Sequence, residues 1–161
     1  MAIACNTVFS ATIEDTAILA GNGGGSAYSF KLARRLQWLN ATGELGLNVA
    51  QLFNGTLGGS PMDIDLHSFT DRAGRGTLAF AKTRLIIIHA LAANSGTMKF
   101  FDATATNPWN AWAKDIILNP DAIAILEDRG ATAVAVTSGS SQTFRISGTS
   151  GDKFEVFIGG Q

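Results

Sequence analysis

Short runs with an apolar residue at every second position, closed by Gly, Ser, Asn or Pro, constrain this chain more than any other feature of its sequence. The pattern is plainest near the C-terminal end: Val134 and Val136, then Phe144 and Ile146, then Phe154, Val156 and Ile158. Such alternation gives a strand one face for a core and one face for its surroundings.

The same reading extends upstream. In "ELGLNVAQLF", Leu45, Leu47 and Val49 share a face; in "MDIDLHSF", Asp63 and Asp65 alternate with Ile64 and Leu66. "LAFAKTRLIIIHAL" begins with Leu78 and Phe80 in alternation and becomes continuously apolar at Leu85–Ile88, as a central strand covered on both faces does. "MKFFD" reads as a further strand, and "IILNPDAIAILED" as two short ones around an Asn119-Pro120-Asp121 turn. "TDRAGRGT" has the glycines of a hairpin connection. Pro108 in "NPWNAWAKD" stands where a helix likes to start, which allows one short helical turn.

The first forty residues are less regular. "TVFSATI" and "TAILAG" read as short strands, with "GNGGGS" at Gly21–Ser26 as a turn or flexible linker. "YSFKLARRLQWLN" suits a helix through Leu32, Leu36 and Leu39, or a strand through Phe30, Leu32, Leu36 and Trp38. Without helix caps on either side, strand or extended arm is preferred. The expectation is an all-β, antiparallel β-sandwich, jelly-roll-like, over residues 41–161, after an irregular N-terminal arm with the first strands over residues 1–40.

Composition narrows the function. A chain of 161 residues is long enough for one domain with a core. Its net charge of −1 offers no basic footprint, and Arg34 and Arg35 are isolated, so nucleic acid is not the expected partner. The single Cys5 excludes a disulfide framework within the chain and any multi-cysteine metal site. Glu14 and Asp15 stand where a signal peptide would be apolar, and the run Leu85–Ala93 is too short to span a bilayer. A soluble intracellular product with no membrane partner is expected. Charged residues are 16%, against roughly a quarter in ordinary domains, and Glu44 is the only charge between Leu36 and Met62. A surface so poor in charge resembles a protein–protein interface.

Candidates for chemistry are few. The glycine run lacks the Lys-Ser/Thr of a phosphate loop. Asp63, Asp65 and Asp71 offer oxygens to a hard cation such as calcium, although a strand with a wet face alternates in the same way. His67 and His89 are the only histidines, and Ser68, next to His67, would point to the opposite face of a strand. No G-x-S-x-G elbow exists, so no enzyme, no cofactor and no resident metal are expected. Trp109 and Trp112, with Phe100 and Phe101 before them, form the densest aromatic group. They suit a core, a subunit anchor or a sugar-stacking platform.

Two stretches carry a resemblance. From Asp63 to Phe100 the chain has a D-L pair (Asp65, Leu66), an F-T-D-x-x-G turn (Phe69 to Gly74) and an F-A-K-x-x-x-I strand (Phe80 to Ile86). The second stretch is "TSGSSQTFRISGTSGDKFEVFIGG", Thr137 to Gly160. Together they resemble small β-rich proteins among the virion structural genes of tailed bacteriophages, usually capsid decoration (cement) or accessory proteins. A Pro-Gly-Gly turn of that pattern is replaced here by Asn119-Pro120-Asp121. The resemblance implies a virion protein made in the host cytoplasm. Its expected partners are the major capsid protein or other virion proteins and further copies of itself, and Phe100, Phe101, Trp109 and Trp112 are its interface candidates. The alternative is a carbohydrate-binding sandwich with Trp109 and Trp112 as platform and calcium on the three aspartates. A hydrolase on a β scaffold comes third.

Overall fold

A computed structural model describes residues 5–15, 28–38, 49–70, 76–109, 112–128 and 133–161. The chain divides into two compact units, Met1–Leu39 and Asn40–Gln161. The first holds β1 (Cys5–Asp15) and β2 (Tyr28–Trp38). The second opens with β3 (Val49–Thr56), β4 (Met62–Asp65), β5 (Phe69–Thr70), β6 (Thr77–Leu78) and β7 (Lys82–Ala90). It continues with β8 (Met98–Phe100), β9 (Ile116–Leu118), β10 (Ile123–Glu127), β11 (Val134–Ala135), β12 (Thr143–Ser147) and β13 (Lys153–Gly160). No helix occurs among the described residues, and every paired set of strands is antiparallel.

The second unit is the expected sandwich. One sheet runs β10-β7-β13-β3, with β11 also on β7; the other runs β4-β12-β8-β9. Alternation sends Ile86 and Ile88 of β7 and Phe154, Val156 and Ile158 of β13 inward from the first sheet. Ile64, Phe144, Ile146, Met98 and Phe100 meet them from the second. These side chains are at most 8% exposed, and each contributes about 1.5–3 kcal/mol by leaving water.

Consecutive strands change sheets at β3–β4, β7–β8, β9–β10, β11–β12 and β12–β13, so their connections arch over the core rather than closing hairpins. Asn119-Pro120-Asp121 is one such corner: Ala122 N–H donates to Asn119 O at 3.1 Å, and Asp121 takes φ 65°. Left-handed backbone two residues into a turn, after proline, is type II chemistry. Three other arches meet at one residue. Asp152 accepts from Ser95 N–H (2.8 Å), Ser95 Oγ (3.2 Å) and Thr149 N–H (2.9 Å), while its own carbonyl accepts from Leu57 N–H (2.8 Å). Asn94 pins the same place, accepting from Lys153 N–H through Oδ1 and donating Nδ2 to Lys153 O (2.9 Å).

Some expectations change. The strand read through "MDIDLHSF" breaks after Asp65, because Asp65 Oδ1 accepts from His67 N–H at 2.8 Å and turns the chain. Pro108 starts no helix; it bridges in parallel to Thr143, and Trp109 N–H donates to Thr143 O at 2.8 Å.

In the first unit, β1 and β2 pair antiparallel over their whole length, from Cys5 opposite Trp38 to Asp15 opposite Tyr28. The strand reading of residues 28–38 therefore holds, and both strands are regular. "TAILAG" and the glycine run lie outside the described residues, in the connection between β1 and β2.

Candidate interaction surface

The two outward faces of the sandwich differ in chemistry. On the β4-β12-β8-β9 sheet, Arg145 of β12 stands opposite Asp63 of β4 and donates both Nε (2.6 Å) and Nη2 (2.7 Å) to its carboxylate. Arg145 Nη1 also donates to Thr104 O at 2.9 Å, and the neighbouring carboxylate raises the guanidinium pKa further. Beside it Asp102, 5% exposed, accepts from Ser147 Oγ (2.7 Å), Thr104 N–H (3.0 Å) and Thr104 Oγ1 (2.9 Å), with Lys99 Nζ at 3.2 Å. Burial alone would raise the Asp102 pKa; those donors overcome it and hold the carboxyl well below the usual carboxylate range. Paired charges dominate this face, with Ile117 of β9, in register with Lys99, standing 63% exposed beside them.

The outward face of the β10-β7-β13-β3 sheet gathers its apolar residues into a row. The register sets Ile125 opposite Ile87, Ile87 opposite Phe157, and Phe157 opposite Leu52, one row across all four strands. Leu52 is 41% and Ile125 38% exposed; Ile123, one row away, is 60% exposed. At strand spacings of about 4.8 Å the row runs about 15 Å. The adjoining row holds Ile123 together with His89, which is half-buried between Asp121 (3.5 Å) and Glu155 (3.6 Å). Apolar and ionisable side chains therefore adjoin on this face.

The aromatic candidates are placed elsewhere. Phe100, Phe101 and Trp109 are 0%, 1% and 0% exposed and pack with Phe144, Phe101 and Phe144 lying edge-on at 4.8 Å. Trp109 gives its indole N–H to Ala135 O at 2.9 Å. Trp112 is half-buried, with its N–H on Thr83 Oγ1 at 2.7 Å. The first three are core, so none presents a surface to a partner, and only Trp112 retains part of one.

Two members of the aspartate trio are described, and each has partners of its own. Asp63 is held by Arg145, Asp65 accepts from His67 N–H and Gln142 Nε2 (3.0 Å), and Asp71 lies outside the described residues. Among the described residues no group of three His, Cys, Asp or Glu gathers to hold a metal ion, and no helix is long and apolar enough to cross a membrane. Reading strands one at a time missed the outward row, because it is a property of register. Its signal was Ile87, Phe157 and Leu52 at the phase opposite to the core positions. No family model, no curated protein and no solved structure matches the chain.

Proposed function

We propose that this chain is a non-enzymatic virion structural protein of the capsid decoration type, attached to a capsid lattice as a homo-oligomer. The observation that supports the reading is the contrast between the two outward faces, paired charges on one and the Ile125–Ile87–Phe157–Leu52 row on the other. A lattice of protein subunits, whose own contacts are apolar and neutral, is the partner chemistry that suits such a row. The jelly-roll-like winding and the phage resemblance of Asp63–Phe100 and Thr137–Gly160 belong to the same reading. A sugar platform on Trp109 and Trp112 has less to draw on, since Trp109 is enclosed under Phe101 and Phe144.

Density-gradient sedimentation of the source lysate tests it. The protein is expected to travel with virus-sized particles in stoichiometric amount. Recovery of the whole pool at the top of the gradient, with intact particles below, defeats the proposal.

A further inference from the structure

The register of the N-terminal hairpin sorts its residues by chemistry. Phe9, Ile13, Phe30, Leu32, Leu36 and Trp38 fall on one face of the ribbon. Asn6, Thr12, Glu14, Lys31, Arg35 and Gln37 fall on the other. The apolar face carries two charges, Asp15 at the end next to the connecting loop and Arg34 opposite Phe9. An isolated two-stranded hairpin is marginal in water, and a face of this composition is one that monomers rarely leave uncovered.

We propose that β1 and β2 form an association ribbon whose apolar face packs on the same face of a second copy of this chain. Length favours that occupant. Each strand has 11 residues and so runs about 36 Å, whereas the exposed row of the sandwich spans about 15 Å. A surface of equal length and matching chemistry is supplied by another ribbon, and a two-fold axis makes any such patch complementary to itself. Area agrees. Phe9, Tyr28, Phe30 and Trp38 lie on that face, and an aromatic residue buries about 150–250 Å². Four such residues on each of two ribbons, with the aliphatic residues beside them, carry enough surface for the about 1,000 Å² that a specific interface needs. Both hairpin strands are needed for the contact, so it names the surface that makes the homo-oligomer in the function proposed above and rests on that reading.

The test uses purified full-length protein without particles, so its failure is separate from failure of the virion reading. Sedimentation velocity at micromolar concentration is expected to give a multiple of 16.9 kDa. Leu32→Glu with Leu36→Glu is expected to return the mass to that of one chain, weakening association at least tenfold. Ala33→Glu with Gln37→Glu, the same spacing on the polar face, leaves the oligomer intact. Near-ultraviolet circular dichroism from the buried Trp109 reports that the sandwich is folded. If the double glutamate variant loses that signal, Leu36→Ser decides by the same mass measurement. A native chain that sediments at 16.9 kDa, an apolar-face variant that stays associated, or equal dissociation by both pairs overturns the proposal.

Discussion

Two aspartates do at residue scale what a disulfide-free sandwich needs done at its ends. Asp152 ties three arches together, and Asp102 binds β8 to β12 through Lys99 and Ser147. For both, burial opposes ionisation and hydrogen bonds from N–H and O–H donors outweigh it, so both carboxyls sit below their ordinary range. An unfolded aspartate titrates near about 3.9. Below that pH the unfolded chain takes up protons that the folded chain refuses, so acid favours unfolding; above it the contribution is complete. Stability is therefore expected to be level from neutrality to about pH 5 and to fall below about pH 4. Asp102→Asn should cost about 1–3 kcal/mol at neutral pH, the range for stranding buried donors. The difference from the native chain should shrink in acid, as urea titrations at neutral pH and near pH 3 would show. A difference that stays constant with pH would mean that the charge of Asp102 contributes nothing.

At the scale of elements, alternation made most of the sandwich legible, since β7, β12 and β13 place their apolar residues where the sequence puts them. Phe101 was not legible. Consecutive strand residues face opposite ways, yet Phe100 and Phe101 are both buried, because Phe101 leaves the strand with φ 59° and turns back into the core. No pattern of types announces a phenylalanine in left-handed backbone, so an aromatic pair placed among the interface candidates is core. Nor does sequence show which short strands share a sheet: β9 and β10 are neighbours across a tight turn and lie in different sheets. The close of β13 is likewise hidden. Gly159 stands opposite Leu85 and Gly160 opposite Thr83, so Arg84 is an extra residue in β7. A Cβ at Gly160 would lie 2.0 Å from Lys82 O, an overlap with backbone that no rotamer relieves. Gly160→Ala is expected to lift the end of β13 off β7 and to lower the urea midpoint by the equivalent of about 2 kcal/mol or more, at the upper end of single-residue effects. Gly139→Ala meets open space but sits at φ 74°, so it should cost about 1 kcal/mol from backbone strain alone.

For the whole molecule, the question is why one sheet exterior is dominated by paired charges and the other carries an apolar row across all four strands. Stability does not require it: surface substitutions away from special features change folding by about 0.5 kcal/mol or less. Ile125 and Leu52 lie outside the core cluster, at opposite ends of the row on the two edge strands β10 and β3. Replacing both with lysine puts two charges on a surface that association would have to dehydrate, while the inward Leu126 and Phe53 keep their places. The double variant is expected to unfold within about 1 kcal/mol of the native chain if the two small effects add. Its affinity for purified particles stripped of this protein should fall at least tenfold, about 1.4 kcal/mol. Lysine at Ile117, 63% exposed on the charged sheet, is the matched control and should bind as the native chain does. Equal loss from Ile117→Lys would mean that charge anywhere disturbs attachment. Unchanged binding by the Ile125 and Leu52 variant would remove the row from the contact and leave the exterior's asymmetry to another partner.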